Sequence, residues 1–240
     1  MLSGIYDSFQ HWGKNYQTVW IYSDPHFDDA ELANNIVGRP TPEEQVKRIN
    51  AKCGRRDCLI ILGDVGNVEY VRQLRAGHKV LIMGNHDAGA SNYKRQVITR
   101  VYDQDKYTKE EVFAKAKADF HNWKITIEES WESPFSFKFW VVIADNLLFD
   151  EVYEGALIVA EKLILTHEPV EIPWLFNIHG HDHVNYKRAN HLNVCSDVVN
   201  WEPINFNQFL KSGFASKIQT IHRDTIDKAI KRKKKRKEVN

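Results

Sequence analysis

No apolar run in this sequence of 240 residues approaches the ~20 residues that a helix needs to cross a bilayer, and the N-terminus has no signal-peptide h-region. The reading is therefore a chain with no membrane partner, expected in the cytoplasm. Cysteine is scarce. Cys53, Cys58 and Cys195 form an odd set without zinc-ribbon spacing, which argues for reduced thiols and against a disulfide framework. Internal repeats are absent. Net charge is nearly absent too, +1 overall, but the balance is uneven. Lys228 to Lys237 holds eight Lys or Arg, so residues 1–227 carry 25 basic against 31 acidic groups, a net of −6. The body is mildly acidic and the C-terminal end strongly basic. What remains is ordinary: 42% hydrophobic residues and seven Trp suffice for one large globular core.

Short apolar runs that break into Gly and polar groups organise that core. Cys58-Leu59-Ile60-Ile61-Leu62 breaks into Gly63-Asp64-Val65-Gly66-Asn67, and Lys79-Val80-Leu81-Ile82-Met83 breaks into Gly84-Asn85-His86-Asp87. Each run has the length and β-branched content of a buried strand. Between them, Asn67 to Ala76 reads as a helix, with Asn67 as N-cap, an apolar stripe of Val68, Val71 and Leu74, and a stop at Gly77. Strand–helix–strand implies parallel strands whose carboxyl ends share one edge, the edge where α/β sheets bind ligands. Upstream, Thr18 to Tyr22 is a strand running into Ser23-Asp24-Pro25-His26. Thr41-Pro42-Glu43-Glu44 opens a helix with Thr as N-cap and Pro at the first position.

Downstream of Asp87 the alternation lapses. Ala88 to Lys106 reads as loop with some helix, and Thr108-Lys109-Glu110-Glu111 as a capping box that opens a helix to Trp123. The stretch from Ile125 to Ser136 is acidic and aromatic. Phe137–Ala144 and Leu147–Tyr153 read as two strands joined by Asp145-Asn146, and Leu157 to Thr166 as a hairpin leading to His167. Leu175–Ile178 leads into His179-Gly180-His181-Asp182-His183, and His191–Cys195 is a further strand. Strand runs after βαβ units suggest two sheets stacked face to face.

Five polar clusters therefore fall at strand ends: Asp24/His26, Asp64, Asn85/His86/Asp87, His167 and His181/His183. Carboxylate, imidazole and carboxamide suit Mn²⁺, Fe or Zn²⁺, whereas all-oxygen sites suit Mg²⁺ or Ca²⁺. Seven such side chains (Asp24, His26, Asp64, Asn85, His167, His181, His183) exceed what one ion with an open position uses and fit two, with a carboxylate such as Asp64 able to bridge them. His179 precedes the Gly of its motif and reads as a structural or supporting residue.

The order Asp-x-His, Gly-Asp, Gly-Asn-His-Asp, His, Gly-His-x-His, spread from Asp24 to His183, resembles the calcineurin-like metallophosphoesterase superfamily. The nearest likeness is to small bacterial and phage phosphoesterases that read Gly-Asp-Val-Gly-Asn and then Gly-Asn-His-Asp. The resemblance implies an α/β fold, a four-layer α/β/β/α sandwich of two mixed sheets. It also implies two divalent ions, Mn²⁺ first with Fe, Zn²⁺ or Ni²⁺ as alternatives. It assigns Asp24, His26, Asp64 and His183 to one ion and Asp64, Asn85, His167 and His181 to the other. His86 would protonate the leaving oxygen, with Asp87 beside it to orient it or balance its charge. Phosphoprotein phosphatases of the superfamily carry a second Asp and an Arg-Gly after Gly-Asp, and their later motif ends in Glu. Here Asn67 and Asp87 stand instead, which argues against that substrate class.

The resulting expectation is a phosphoesterase domain over residues 1–222, with an inserted or elaborated segment at 99–140 and a basic tail over 223–240. The substrate is a small phosphomonoester or phosphodiester such as a nucleotide or cyclic nucleotide. One alternative is a nuclease holding nucleic acid through Lys231 to Lys237; another is a catalytically silent scaffold of the same fold. The inserted segment reads as a decorating subdomain, with a lid over the metals as the alternative, and the basic tail as solvated, disordered chain.

Overall fold

In the computed structural model, which describes residues 12–93, 97–121, 123–133, 136–144, 148–159, 162–213 and 221–238, strands β1 (Val19–Tyr22), β2 (Cys58–Ile61) and β3 (His78–Ile82) lie parallel in one register: Ile21 faces Ile60, and Ile60 faces Val80. Two further strands complete this sheet. β7 (Glu151–Tyr153) is parallel to β3, and β12 (Ile204–Asn205) is antiparallel to β1. All four residues of β2 are buried, as expected of a strand covered on both faces. Cys58 and Ile60 share one core with β1, β3 and the second sheet. Leu59 and Ile61 face the other way, onto Val46, Ile49 and Cys53 of or beside helix α2 (Pro42–Lys52). Burial of each such aliphatic side chain contributes roughly 1.5–3 kcal/mol. A short helix, α1 (Ala30–Asn35), precedes α2.

The second sheet has the order β11 (His191–Asn193), β10 (Phe176–His179), β9 (Leu163–Leu165), β8 (Leu157–Val159). Its first three strands are parallel, while β8 and β9 form the antiparallel hairpin read from the sequence. Leu157, Val159, Leu163, Leu165 and Ile178 meet Val19, Ile21, Ile60 and Val80 across the gap, so two mixed sheets stack face to face. Helix α4 (Phe206–Lys211) closes one end against β1 and β12, with Phe206 in this shared core.

Several local readings are corrected. The segment after Asn67 is not an α-helix: Asn67 Oδ1 accepts the Glu69 N–H, and a single 3-10 helix spans Val71–Gln73. The apolar stripe at 68, 71 and 74 repeats every three residues, the 3-10 period, and the Val71 and Leu74 N–H groups bond three residues back. The stretch read as loop before Lys106 contains β4 (Val97–Asp103), and the acidic stretch is β5 (Lys124–Ser133). With α3 (Lys109–Asp119) and β6 (Ser136–Ala144) they form a third, antiparallel sheet of order β4-β6-β5. Its core of Val112, Ala116, Phe139, Val141 and Ile143 is separate from the other two. Thr108 makes the full capping box with Glu111. β6 and β7 do not pair with each other: β6 belongs to the third sheet and β7 to the first, and the expected joint at Asp145-Asn146 lies outside the described residues.

The basic tail is likewise not disordered chain. Ile221–Glu238 is one helix, α5. Lys and Arg are strong helix formers, and their place towards the C-terminal end, with Asp227 nearer the start, complements the helix dipole. Among the described residues no helix is long and apolar enough to cross a membrane.

Candidate metal centre

The parallel strands of both sheets deliver their following loops to one edge, and the loops are laced together by main-chain bonds. Asp24 N–H donates to Gly63 O (3.1 Å), His26 N–H to Asp64 O (3.0 Å) and Gly180 N–H to His167 O (2.9 Å). Two glycines permit the approach. A Cβ on Gly84 would collide with Asp64, and one on Gly180 with Ser23 and the Asp24 carboxylate. The backbone turns sharply here. Asp24 (φ 54°), His26 (39°), Asp64 (52°) and His181 (65°) all occupy the left-handed region, an uncommon conformation for side-chain-bearing residues that concentrates at functional sites.

These turns bring all seven candidate ligands together in two adjoining groups. Potential ligand atoms of Asp24, His26 and His183 lie within 4.8 Å of one another, as do those of Asp64, His167 and His181. Asp64 joins the groups, since its Oδ2 lies 3.4 Å from His26 Nε2 and 3.3 Å from His167 Nε2. Its Oδ1 accepts the His86 N–H at 3.0 Å. Asn85 Oδ1 faces His167 Nε2 (2.9 Å) and His181 Nδ1 (3.2 Å). Two of the imidazoles are fixed from behind. His167 Nδ1 is 2.7 Å from Leu62 O, and His183 Nδ1 is 2.6 Å from Asp197 Oδ2, which leaves each Nε2 turned to the other side of its ring. A partner behind the ring is the usual support for a metal-binding imidazole.

The charge environment follows. Burial lowers the affinity of His26 for a proton, and the Asp64 and Asp24 carboxylates offset this only in part. Burial acts on His167 in the same sense, but the bond it donates to Asp64, the Asp24 and Asp64 charges and the Leu62 carbonyl outweigh it and hold its pKa up at about 9. Burial pushes the Asp64 carboxyl up, yet the bonds from His167 and from the His86 N–H bring it below the ordinary value. The bond to Asp197 raises His183. Asp64 thus favours the proton it shares with His167 over one on His26.

The His86 ring is exposed and lies edge-on to His26, centroids 5.7 Å apart. Asp87 does not serve His86 as expected. Its carboxylate accepts the N–H groups of Asp64 (2.9 Å), Gly84 (2.8 Å) and Val65 (3.0 Å), clamping the β2 and β3 loops together. His179 is buried in β10 and bonds Gly180 O at 2.8 Å, outside both groups.

Asp197 and Arg39 escaped the sequence reading. Arg39 Nη1 donates to both Asp197 oxygens (2.7 and 2.6 Å), and Arg39 Nη2 donates to Pro25 O at 2.8 Å. Trp201 Nε1–H donates to Asp197 Oδ1 at 3.1 Å. Asp197 could have been found, since it follows the apolar run through β11 to Cys195 as the other polar clusters follow theirs. Arg39 lies in a loop without any such pattern.

The residues present suit metal ions on physical grounds. Asp24 Oδ1 and His26 Nε2 are buried and have no hydrogen-bond partner among the described residues, although each sits among groups of complementary chemistry. Buried polar atoms are rarely left unsatisfied, and a cation between an anionic oxygen and an imidazole nitrogen satisfies both.

No curated protein matches this chain. A solved structure of a protein of unknown function from Aquifex aeolicus is similar at 19% identity with a TM-score of 0.48, over 81% of this chain and 98% of that one. The model of the calcineurin-like phosphoesterase family matches residues 17–238, a span that takes in every strand end and all seven converging side chains. By that match the chain belongs to the calcineurin-like phosphoesterases, a family of metal-dependent phosphoester hydrolases.

Proposed function

We propose that this protein is a two-metal hydrolase of small phosphate esters, with Asp24, His26, Asp64 and His183 holding one ion and Asp64, Asn85, His167 and His181 the other. The observation that carries the dinuclear reading is the placement of Asp64 Oδ2, nearly equidistant from His26 Nε2 and His167 Nε2. Mn²⁺ is the proposed metal, with Fe, Zn²⁺ or Ni²⁺ compatible with the same donors. Such ions, when bound, neutralise charge developing on the phosphoryl oxygens and acidify the attacking water. The chain's own residues do the rest. His86, exposed at the rim and anchored through its N–H on Asp64, gives a proton to the leaving oxygen. Asp87 holds the two loops in register, so that Asp64 and His86 keep their spacing. Arg39 and Asp197 fix the tautomer and orientation of His183. A small phosphomonoester or phosphodiester such as a nucleotide or cyclic nucleotide is the proposed substrate class, and the cytoplasm the proposed location.

Reconstitution with Mn²⁺ is expected to give two ions per chain by elemental analysis. At most one tightly held ion would refute the dinuclear reading. Binding must displace the proton that Asp64 shares with His167. Below a pKa of about 9 that proton competes with the metal, so apparent affinity at this group rises with pH by about tenfold per unit until it levels near pH 9. Titration of metal-free protein with Mn²⁺ at a series of pH values checks this; a plateau reached already near pH 6.5 would contradict it. Turnover of bis- and mono-p-nitrophenyl phosphate then separates diesterase from monoesterase, and a silent scaffold turns over neither.

A further inference from the structure

The helix α5 carries Lys231, Arg232, Lys233, Lys234 and Lys235 as five consecutive exposed cations, and Arg236 and Lys237 continue the run on the same helix. At 3.6 residues per turn, five successive side chains project on all sides of the axis. Between 231 and 237 the helix therefore has no apolar face; exposed Ile226 and Ile230 lie before the run. The helix makes a contact with the body of the protein. Lys228 Nζ lies 5.0 Å from the centroid of Trp174, which sits two residues before β10, at the edge of the second sheet opposite the one that carries His167 and His181. The basic segment begins one turn beyond that contact.

These features discriminate between anionic partners. A helix that lies on a lipid surface buries an apolar face there, and this run offers none. A polynucleotide presents a dense line of phosphates, one charge per ~1.7 Å of duplex, and needs only cations to hold it. The rest of the chain, with a net of −6 over residues 1–227, repels such a polymer, so the cationic helix is where it would be retained. No aromatic residue interrupts Lys231 to Lys237, so the contacts are to phosphates and not to bases.

We propose that α5 is a sequence-independent nucleic-acid-binding arm that holds a polynucleotide by its phosphate backbone. This binding does not rest on the phosphoesterase reading above.

The test is fluorescence anisotropy of a labelled oligonucleotide as single-stranded DNA, duplex DNA and RNA, titrated with full-length protein in EDTA. Metal-free conditions keep a failure of the arm distinct from a failure of the two-metal site. Binding to at least one of the three is expected, with Kd on the order of 10⁻⁵ M at low salt. The log–log salt slope should be about −3.5 to −4.5, the release expected for about five phosphate contacts. Replacing Lys231, Arg232, Lys233, Lys234 and Lys235 together with Gln, a comparable helix former, should weaken binding by about 100-fold or more. Helix content by circular dichroism and turnover of a p-nitrophenyl ester should stay unchanged. Exchanging Lys for Arg at the four lysines should preserve binding. The proposal is overturned if wild type retains none of the three nucleic acids, if the Gln variant binds as well as wild type, or if phosphatidylserine vesicles compete as equals.

Discussion

Asp64→Asn is expected to leave a folded protein that has lost both metals and nearly all turnover. Asn keeps an oxygen for the His86 N–H, which Asp64 Oδ1 accepts at 3.0 Å, so the loop after β2 retains its anchor. What disappears is the negative charge shared between His26 and His167. Changing even a residue that merely supports a ligand typically lowers metal affinity or activity by about 10–100-fold. A carboxylate common to two ions weakens both, so a combined loss of about 10³-fold or more in turnover follows at limiting Mn²⁺. Metal content by elemental analysis and rate at rising Mn²⁺ are the measurements. A variant that keeps both ions would show that Asp64 does not join them. Loss of one ion alone would place the carboxylate in a single group. The same substitution removes the Asp64 bond and charge from the groups that hold the pKa of His167 at about 9, leaving Asp24 and the Leu62 carbonyl, so the pH dependence of any residual binding should move down towards ordinary imidazole values.

His86→Ala should separate chemistry from binding. His86 is exposed, belongs to neither converging group, and meets the site through its ring edge against His26 and its N–H on Asp64. If its side chain protonates the leaving oxygen, removal costs about 10²–10⁴-fold on alkyl or ribosyl esters, whose alkoxides are poor leaving groups. With p-nitrophenolate, which departs without a proton, the loss should be far smaller. Two ions should remain per chain. Equal losses on both ester classes would mean that His86 holds the phosphate group and does not supply a proton.

The parts of this architecture that could be read from sequence are those fixed by local chemistry. Thr41 and Thr108 announce their helices because an N-cap needs only its own turn. Cys58–Ile61 and His78–Ile82 announce their strands because burial on both faces leaves a continuous apolar run. The converging side chains could be found because each follows such a run at the same sheet edge. What could not be read depended on distant partners or on competing local patterns. β5 alternates Ile125 and Ile127 with Thr126 and Glu128, but its acidic, half-exposed face hides that alternation without knowledge of α3. The turn at Val71–Gln73 has apolar residues at a spacing that serves 3-10 and α-helix alike. Asp87 looked like a partner for the neighbouring His86, but its carboxylate is taken up by N–H groups on another loop. Asp197 owes its importance to His183 and Arg39, neither adjacent in sequence.

The third sheet has a consequence for how the first one closes. β3 pairs directly with β7, although β4, α3, β5 and β6 all intervene along the chain. A flexible loop of that length would have to be closed at an entropic cost before a single β3–β7 bond formed, and the cost grows with the logarithm of its length, by about 0.6 kcal/mol per doubling. The intervening segment instead satisfies its own hydrogen bonds and core: β6 pairs with both β4 and β5, and Val112 and Ala116 of α3 cover Val141 and Ile143. Once that unit has formed, the tether between β3 and β7 is reduced to its connecting segments. The entropy lost in ordering the insertion is then offset within the insertion itself and does not fall on the three-residue β7.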